Sequence, residues 1–181
     1  MNIKLSMEEL NRIDRDQFIQ ATKVPVIIVL DNIRSQNNTG SIFRTADAFR
    51  LEGIYLCGIT ATPPHREIQK TALGSTESVQ WMYFETTLEA ILYLKEQGYT
   101  LIAVEQTRNS MPLQDFKPGK DLKYALVFGN EVNGVGEAEL EKCSLVLEIP
   151  QFGTKHSLNV AVSVGIVIWD IVSSGVFSET L

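Results

Sequence analysis

Apolar runs of strand length alternate along the chain with polar stretches of helical length, and this alternation predicts an α/β protein. Strands are predicted at residues 24–30, 53–59, 79–84, 99–104, 124–128 and 145–149. The first is a continuous run rich in β-branched residues, which is typical of a strand covered on both faces. Helices are predicted at residues 6–22, 39–51, 87–97, 137–142 and 157–173. This alternation favours a mostly parallel sheet flanked by helices.

Local signals fix the expected ends of several elements. Ser6 and Glu9 have the spacing of a capping box, which predicts that the first helix begins there. Pro63 and Pro64 interrupt regular pairing, so residues 63–67 are expected to be a loop. No repeat or linker divides the chain. We therefore predict an N-terminal helical extension over residues 1–22 and one catalytic domain over residues 23–181.

Composition agrees with an ordinary globular domain but not obviously with a nucleic-acid partner. The chain has 181 residues, of which 44% are hydrophobic and 21% charged, and its net charge is −6. Affinity for phosphate backbones comes largely from Lys and Arg, so any basic surface has to be local. The candidates for such a surface are Arg44, Arg50, Arg66, Lys70, Arg108 and Lys155.

Several other classes of protein are disfavoured. Cys57 and Cys143 form no paired motif, His65 has no ligand spacing, and we predict no metal site. The charged first sixteen residues predict no secretory signal. The longest apolar run, residues 160–169, is about half of the ~20 residues that a membrane span needs. The expectation is a cytoplasmic protein.

Polar residues follow three of the predicted strands, at the sheet edge where open α/β sheets collect their ligands. The first such segment, residues 37–44, has one glycine where a Rossmann protein would have G-x-G-x-x-G. It carries Asn38 and Arg44 as candidate site residues. Taken alone, Asn38 could equally be a helix cap and Arg44 a solvated helix-surface residue.

The other two segments are residues 128–131 and 149–159. Gly129 would let the backbone approach a flat ligand such as adenine, although a plain glycine turn explains it equally well. Ser157 is a candidate N-cap of the last helix. Asn159 needs a partner because its neighbours are apolar. His156 has no nearby carboxylate to orient it, so we interpret it as a surface or RNA-facing residue rather than a base.

In this order the three segments closely resemble the motifs of the SpoU/TrmH family of the SPOUT superfamily. Its members transfer a methyl group from S-adenosylmethionine to a ribose 2′-hydroxyl of RNA. The resemblance covers about residues 24–173 and implies a C-terminal deep trefoil knot. It also implies a homodimer, for which the apolar residues Val167, Ile168 and Trp169 would suit the interface, although plain core packing explains these residues as well.

The resemblance also implies roles for individual residues. The motif residues expected to be catalytic are Asn38, Arg44, Glu131, Ser157 and Asn159. Cofactor contacts are expected from Val104, Gly129, Ile149 and Leu158, and RNA contacts from Arg66, Lys70, Lys155 and His156. Arg44 would act either as the base or, because a guanidinium stays charged, as a binder of phosphate and of a developing alkoxide.

The expected substrate is tRNA, because residues 98–107 and 149–159 look most like enzymes that methylate the D-loop guanosine. Three alternatives stay open. One is an rRNA 2′-O-methyltransferase, another a catalytically silent RNA-binding dimer of the same fold. The third is a methyltransferase acting on protein or small molecules, which the acidic net charge slightly favours.

Overall fold

The computed structural model describes residues 2–6 and 8–178, and within them seven strands form one sheet. The strands are β1 Val24–Asp31, β2 Leu51–Cys57, β3 Trp81–Phe84, β4 Tyr99–Val104, β5 Met111–Pro112, β6 Lys123–Phe128 and β7 Leu145–Glu148. Their order is β3-β2-β1-β6-β4-β7-β5, and every pair is parallel. The predicted α/β class with a parallel sheet is confirmed, whereas the knot stays a prediction.

Six α-helices among the described residues cover the two faces of this sheet. They are α1 Arg15–Gln20, α2 Gln36–Ala48, α3 Arg66–Ala72, α4 Thr87–Glu96, α5 Glu137–Leu140 and α6 Val160–Ser173. Strand β1 supplies Ile28 and Leu30 to the core beneath α2 and α6, and Ile27 and Val29 to the core beneath α4. The strand is therefore buried on both faces, as its apolar run predicts.

The strand register brings four chain segments to one edge of the sheet. Leu30 of β1 and Val104 of β4 both pair with Phe128 of β6, and Val104 also pairs with Leu147 of β7. These residues lie at or next to the carboxyl ends of their strands. The segments that follow β1, β4, β6 and β7 consequently leave the sheet side by side.

The first predicted helix is wrong over most of its length. Ser6 and Glu9 do form the reciprocal capping-box hydrogen bonds, at 2.7 and 3.3 Å, but the chain makes only a turn there. Asn11 has a left-handed φ of 47°, which ends that turn. A helix begins only at α1, where Asp14 forms a second capping box with Gln17. The division at residue 22 stays a prediction.

Helix α3 was not predicted, because the prolines at 63 and 64 favoured a loop. His65 caps this helix by accepting a hydrogen bond from the Glu67 N–H. Its packing against α2 depends on Gly40, since a Cβ there would overlap the backbone carbonyl of Ile68. Of the described helices, none combines the length and apolar character that crossing a bilayer requires.

Candidate functional site

Three polar residues from the three sequence motifs meet at the carboxyl edge of the sheet. The Asn38 Nδ2 group donates to Glu131 Oε1 at 3.1 Å, and Asn159 Nδ2 donates to Asn38 Oδ1 at 3.1 Å. We call this chain of hydrogen bonds the Asn38 network. It uses both ends of the Asn38 amide, so the orientation of that side chain is fixed.

Helix caps hold two members of the network in place. Ser35 caps α2 by accepting from the Asn38 N–H at 3.3 Å, which leaves the Asn38 side chain free for other bonds. Asn159 caps α6, because its Oδ1 accepts from the Ala161 N–H at 2.9 Å. The alternative of Asn38 as a cap is therefore wrong, and so is Ser157 as the cap of the last helix. Ser157 is exposed and lies two residues before the cap.

A pocket of about 500 Å³ opens between the loops at this edge, and we call it the carboxyl-edge pocket. Its lining contains all four residues predicted to contact a cofactor, Val104, Gly129, Ile149 and Leu158. Glu131, Ser157 and His156 line it as well. The ends of β4, β6 and β7, with the loops that follow them, enclose the pocket, and the parallel register brings these three strand ends together.

The loop after β6 owes its shape to Asn130. The Asn130 side chain accepts from the backbone N–H groups of Val132 and Asn133, at 2.9 and 2.8 Å. The loop folds back so closely that a Cβ on Gly129 would overlap the backbone of Gly134. The space that Gly129 leaves is thus taken by the chain itself. Closure of the loop therefore requires this glycine, while room for a flat ligand stays a prediction.

Glu105 ties this loop to the end of β4, and it was missed in the sequence. Its Oε1 accepts from the Gln106 N–H at 2.8 Å, and its Oε2 accepts from the Val135 N–H at 3.0 Å. Glu105 also lines the carboxyl-edge pocket. The feature of the sequence that could have revealed Glu105 is the position of a carboxylate directly after a buried strand.

Asp31 anchors the same end of this loop as Glu105. This carboxylate is only 4% exposed. It accepts from the Thr87 hydroxyl at 2.6 Å and from the Gly136 N–H at 3.3 Å. Buried carboxylates need such donors, and here they connect β1, α4 and the loop. Two carboxylates therefore hold the C-terminal end of the loop, at neighbouring N–H groups.

A second set of bonds holds the segment after β7. The Gln106 side-chain amide donates to the His156 carbonyl at 3.0 Å. The Ser110 hydroxyl donates to the Glu148 carboxylate at 2.7 Å. The chain after β4 thus supports the wall of the pocket formed by residues 148–158.

The charge of the carboxyl-edge pocket is negative. Three carboxylates line it, those of Glu105, Glu131 and Glu148. No Lys or Arg is found in its lining among the described residues. A cationic ligand fits this environment, whereas a phosphate group would be repelled.

Arg44 lies outside this pocket, in a groove of about 580 Å³ between α2 and α3. The α2–α3 groove is lined by Arg44 and Lys70 together with Ser41, Thr45 and Thr71. Arg44 is exposed and forms no ion pair within the part of the chain that the structure describes. Six residues of α2, about 9 Å along the helix axis, separate it from Asn38. The structure thus brings Arg44 together with Lys70 rather than with the Asn38 network.

The other predicted RNA contacts occupy two places. Arg66 and Lys70 belong to α3, where both approach Glu67, at 4.0 and 3.8 Å. Ion pairs this exposed contribute little, so both cations stay available for phosphates. Lys155 and His156 are exposed in the segment before α6.

Neither cysteine chemistry nor a metal explains the site. Burial raises the pKa of the Cys57 thiol to about 12, with the Thr87 hydrogen bond opposing the shift. Cys57 is therefore protonated at neutral pH and is a poor nucleophile. Among the described residues, no group of three His, Cys, Asp or Glu is placed to hold a metal ion.

The chain is thus an α/β protein with a parallel sheet, an anionic pocket at the carboxyl edge of that sheet and a cationic groove between α2 and α3. The sequence profile of the SpoU rRNA Methylase family matches residues 25–169. That match covers most of the chain, and the chain belongs to this family. The resemblance inferred from the three motifs is confirmed.

Relatives and solved structures agree with this assignment. A protein of Staphylococcus haemolyticus, named for the TrmH family of tRNA/rRNA methyltransferases, is 29% identical over 87% of this chain and 64% of its own length. The 23S rRNA (guanosine-2′-O-)-methyltransferase RlmB of Neisseria meningitidis is 30% identical over 80% of this chain and 56% of its own length. The chain thus spans less than two thirds of these relatives.

Among solved structures, the AdoMet-bound rRNA methyltransferase of Sinorhizobium meliloti is similar, with a TM-score of 0.76 and 26% identity. The similarity covers 92% of this chain and 60% of that chain.

Proposed function

We propose that this protein transfers a methyl group from S-adenosylmethionine to the 2′-hydroxyl of a ribose in RNA. The observation that carries the proposal is the separation of charge between the carboxyl-edge pocket and the α2–α3 groove. An anionic pocket suits a small cationic cofactor, and a cationic groove suits an RNA backbone.

The carboxyl-edge pocket fits the cofactor in size and chemistry. Its volume of about 500 Å³ lies in the range of small-molecule sites. Val104, Ile149 and Leu158 offer apolar surface, while the loop after β6 offers backbone groups. Glu105, Glu131 and Glu148 balance the positive charge of the ligand. When bound, S-adenosylmethionine supplies a methyl group activated by its sulfonium.

The Asn38 network positions the ribose. Glu131 lines the pocket and is held by Asn38, which is held in turn by Asn159. A rigid array of amide and carboxylate groups can hold a hydroxyl within about 3 Å of the methyl carbon, as in-line transfer requires. Ser157, on the pocket wall, contributes a further hydroxyl.

Arg44 binds the phosphate next to the target ribose and stabilises negative charge on the 2′-oxygen. We assign this role rather than that of a base because a guanidinium remains charged at any pH at which the protein is folded. Lys70 lines the same groove, and the pair resolves the difficulty raised by the net charge of −6. Arg44 and Lys70 concentrate positive charge in one groove, and phosphate binding by an acidic protein requires such a local concentration.

The protein acts as a homodimer that associates through α6. The expected contact residues need correction, because Val167 and Ile168 are fully buried in the chain's own core. The apolar side chains that α6 exposes are Val162, Ile166 and Trp169, at 50%, 38% and 61%. Their spacing of four and three residues puts them on one helix face, which a second copy would cover.

The preferred substrate is tRNA, at a D-loop guanosine, and the enzyme works in the cytoplasm. This assignment rests on the likeness of residues 98–107 and 149–159 to enzymes of that specificity. An rRNA substrate is the alternative, and the named relatives include both tRNA and rRNA enzymes.

The test is to map ribose methylation by mass spectrometry in tRNA and rRNA from a strain that lacks the gene. The purified protein and S-adenosylmethionine are then added to that RNA. Return of a missing 2′-O-methyl group in tRNA supports the whole proposal, and return in rRNA alone supports the alternative substrate. Methyl incorporation into bases or into protein would contradict it.

Calorimetric titration separates this enzyme from a catalytically silent dimer. The enzyme binds S-adenosylmethionine in the carboxyl-edge pocket, whereas a silent RNA-binding dimer does not need to. RNA binding without cofactor binding would favour the silent dimer.

A further inference from the structure

The side chain of Phe152 is the most exposed large apolar group among the described residues, at 96% of its surface. A phenyl ring that is left wholly in water gains nothing from the hydrophobic effect in the free protein. It is available to a ligand instead, and its place in the fold indicates which one.

The ring belongs to the segment that forms one wall of the carboxyl-edge pocket. Gln151 lines that pocket, and Phe152 follows it directly. The segment is tied down beyond the ring by the hydrogen bond from Gln106 to the His156 carbonyl. The ring is thus displayed by a supported segment that continues into the Asn38 network at Asn159.

A cationic side chain follows the ring in the same exposed segment. It is that of Lys155, and the exposed ring of His156 comes directly after it. An aromatic ring beside such groups is the combination with which proteins hold single-stranded nucleic acid, by stacking on a base and pairing with its phosphate.

We infer that Phe152 stacks on an unpaired nucleobase at or next to the methylated ribose. The inference rests on the proposed function and adds to it a residue that contacts the base. Base faces inside an RNA duplex are covered by their neighbours, whereas bases in loops can be splayed onto aromatic side chains. Stacking uses no hydrogen-bonding edge, so Phe152 selects unpaired structure rather than a particular base.

Three variants test this inference in the full chain: Phe152→Ala, Phe152→Leu and Phe152→Tyr. Their affinity is measured, by fluorescence anisotropy, for a short single-stranded RNA and for the duplex made with its complement. S-adenosylhomocysteine is present, so no turnover occurs. We expect Ala and Leu to weaken single-strand binding by about 5- to 150-fold, the equivalent of about 1–3 kcal/mol per stacked base. Tyr keeps the wild-type affinity, because its ring also stacks.

Two further measurements make the result specific. Duplex affinity and the Kd for S-adenosylmethionine stay unchanged in all three variants, because neither uses the ring. Met82→Ala serves as the matched control, since it removes an exposed apolar side chain from the edge strand β3 without affecting RNA binding.

Three outcomes would overturn the inference. Wild-type single-strand affinity in Phe152→Leu would show that apolar contact, not stacking, is at work. Loss of the dimer in Phe152→Ala by light scattering would show that the ring packs against a second copy. Absence of RNA binding by the wild-type protein would refute the proposed function itself, whereas normal RNA binding by Phe152→Ala would refute this inference alone.

Discussion

Replacing Glu105 should reduce cofactor affinity more than its place outside the three motifs would suggest. The carboxylate accepts two backbone N–H groups, from Gln106 at 2.8 Å and from Val135 at 3.0 Å. Glu105→Gln keeps one acceptor oxygen but turns an NH₂ group toward the other donor. Glu105→Ala removes both acceptors.

The size of the effect follows from those bonds. A hydrogen bond to a charged group contributes about 1.5–3 kcal/mol. Val135 is only 5% exposed, so its N–H has little access to replacement water. If the loop has to be reordered when the ligand binds, losing one such bond in Glu105→Gln lowers affinity by about 10- to 150-fold. Glu105→Ala lowers it at least as much.

Calorimetric titration with S-adenosylmethionine measures this effect. Hydrogen exchange at the Val135 amide should speed up in parallel, because the loop opens locally while the core remains folded. Glu137→Gln is the control, since it makes the same charge change at an exposed glutamate of α5. Wild-type affinity in Glu105→Gln, with unchanged exchange, would refute the idea that this carboxylate shapes the pocket.

Four further predictions follow from the site and its surroundings. Arg44→Ala should abolish methyl transfer in single-turnover assays and leave the Kd for S-adenosylmethionine nearly unchanged, because the residue lies in the α2–α3 groove; normal turnover would contradict its role. Gly129→Ala should weaken cofactor binding strongly, since the added Cβ overlaps the backbone of Gly134, and unaltered affinity would mean that the loop tolerates it. Trp169→Glu should shift the mass in light-scattering dilutions toward the monomer and lower activity with it, unless α6 is not the interface. Cys57 should resist a thiol reagent at pH 8 until the chain is unfolded, because its pKa is about 12; rapid labelling of the folded protein would contradict this.

Strands were the elements most readily predicted from the sequence, because their apolar residues have a clear pattern. The continuous apolar run of β1 predicted a strand that is covered on both faces of the sheet, and its residues are buried on both faces. Parallel strand pairing also predicted that the polar segments gather at one edge of the sheet. The family resemblance predicted that Asn38, Glu131 and Asn159 belong to one site. It did not predict which of them form hydrogen bonds with one another.

The misses have local physical causes. The Ser6 capping box forms its two bonds without a helix, since a cap does not supply the buried face that stabilises a helix. Helix α3 begins directly after His65, where prolines upstream pointed to a loop. Val167 and Ile168 were left open between interface and core, because apolar character alone does not tell a chain's own core from a partner's surface, and both are buried in the core. Glu105 escaped notice because its partners are backbone groups of a distant loop.

The Asn38 network also has a consequence for how the protein is made. Its two hydrogen bonds join residues that are 93 and 121 positions apart. At a synthesis rate of about 5–20 residues per second, about 6–24 s separate the making of Asn38 from that of Asn159. Contacts of such long separation also close slowly, because a long loop must be ordered first. A chain still being synthesised therefore contains β1 and α2 before the Asn38 network can form, and the network is completed only when the start of the last helix is added.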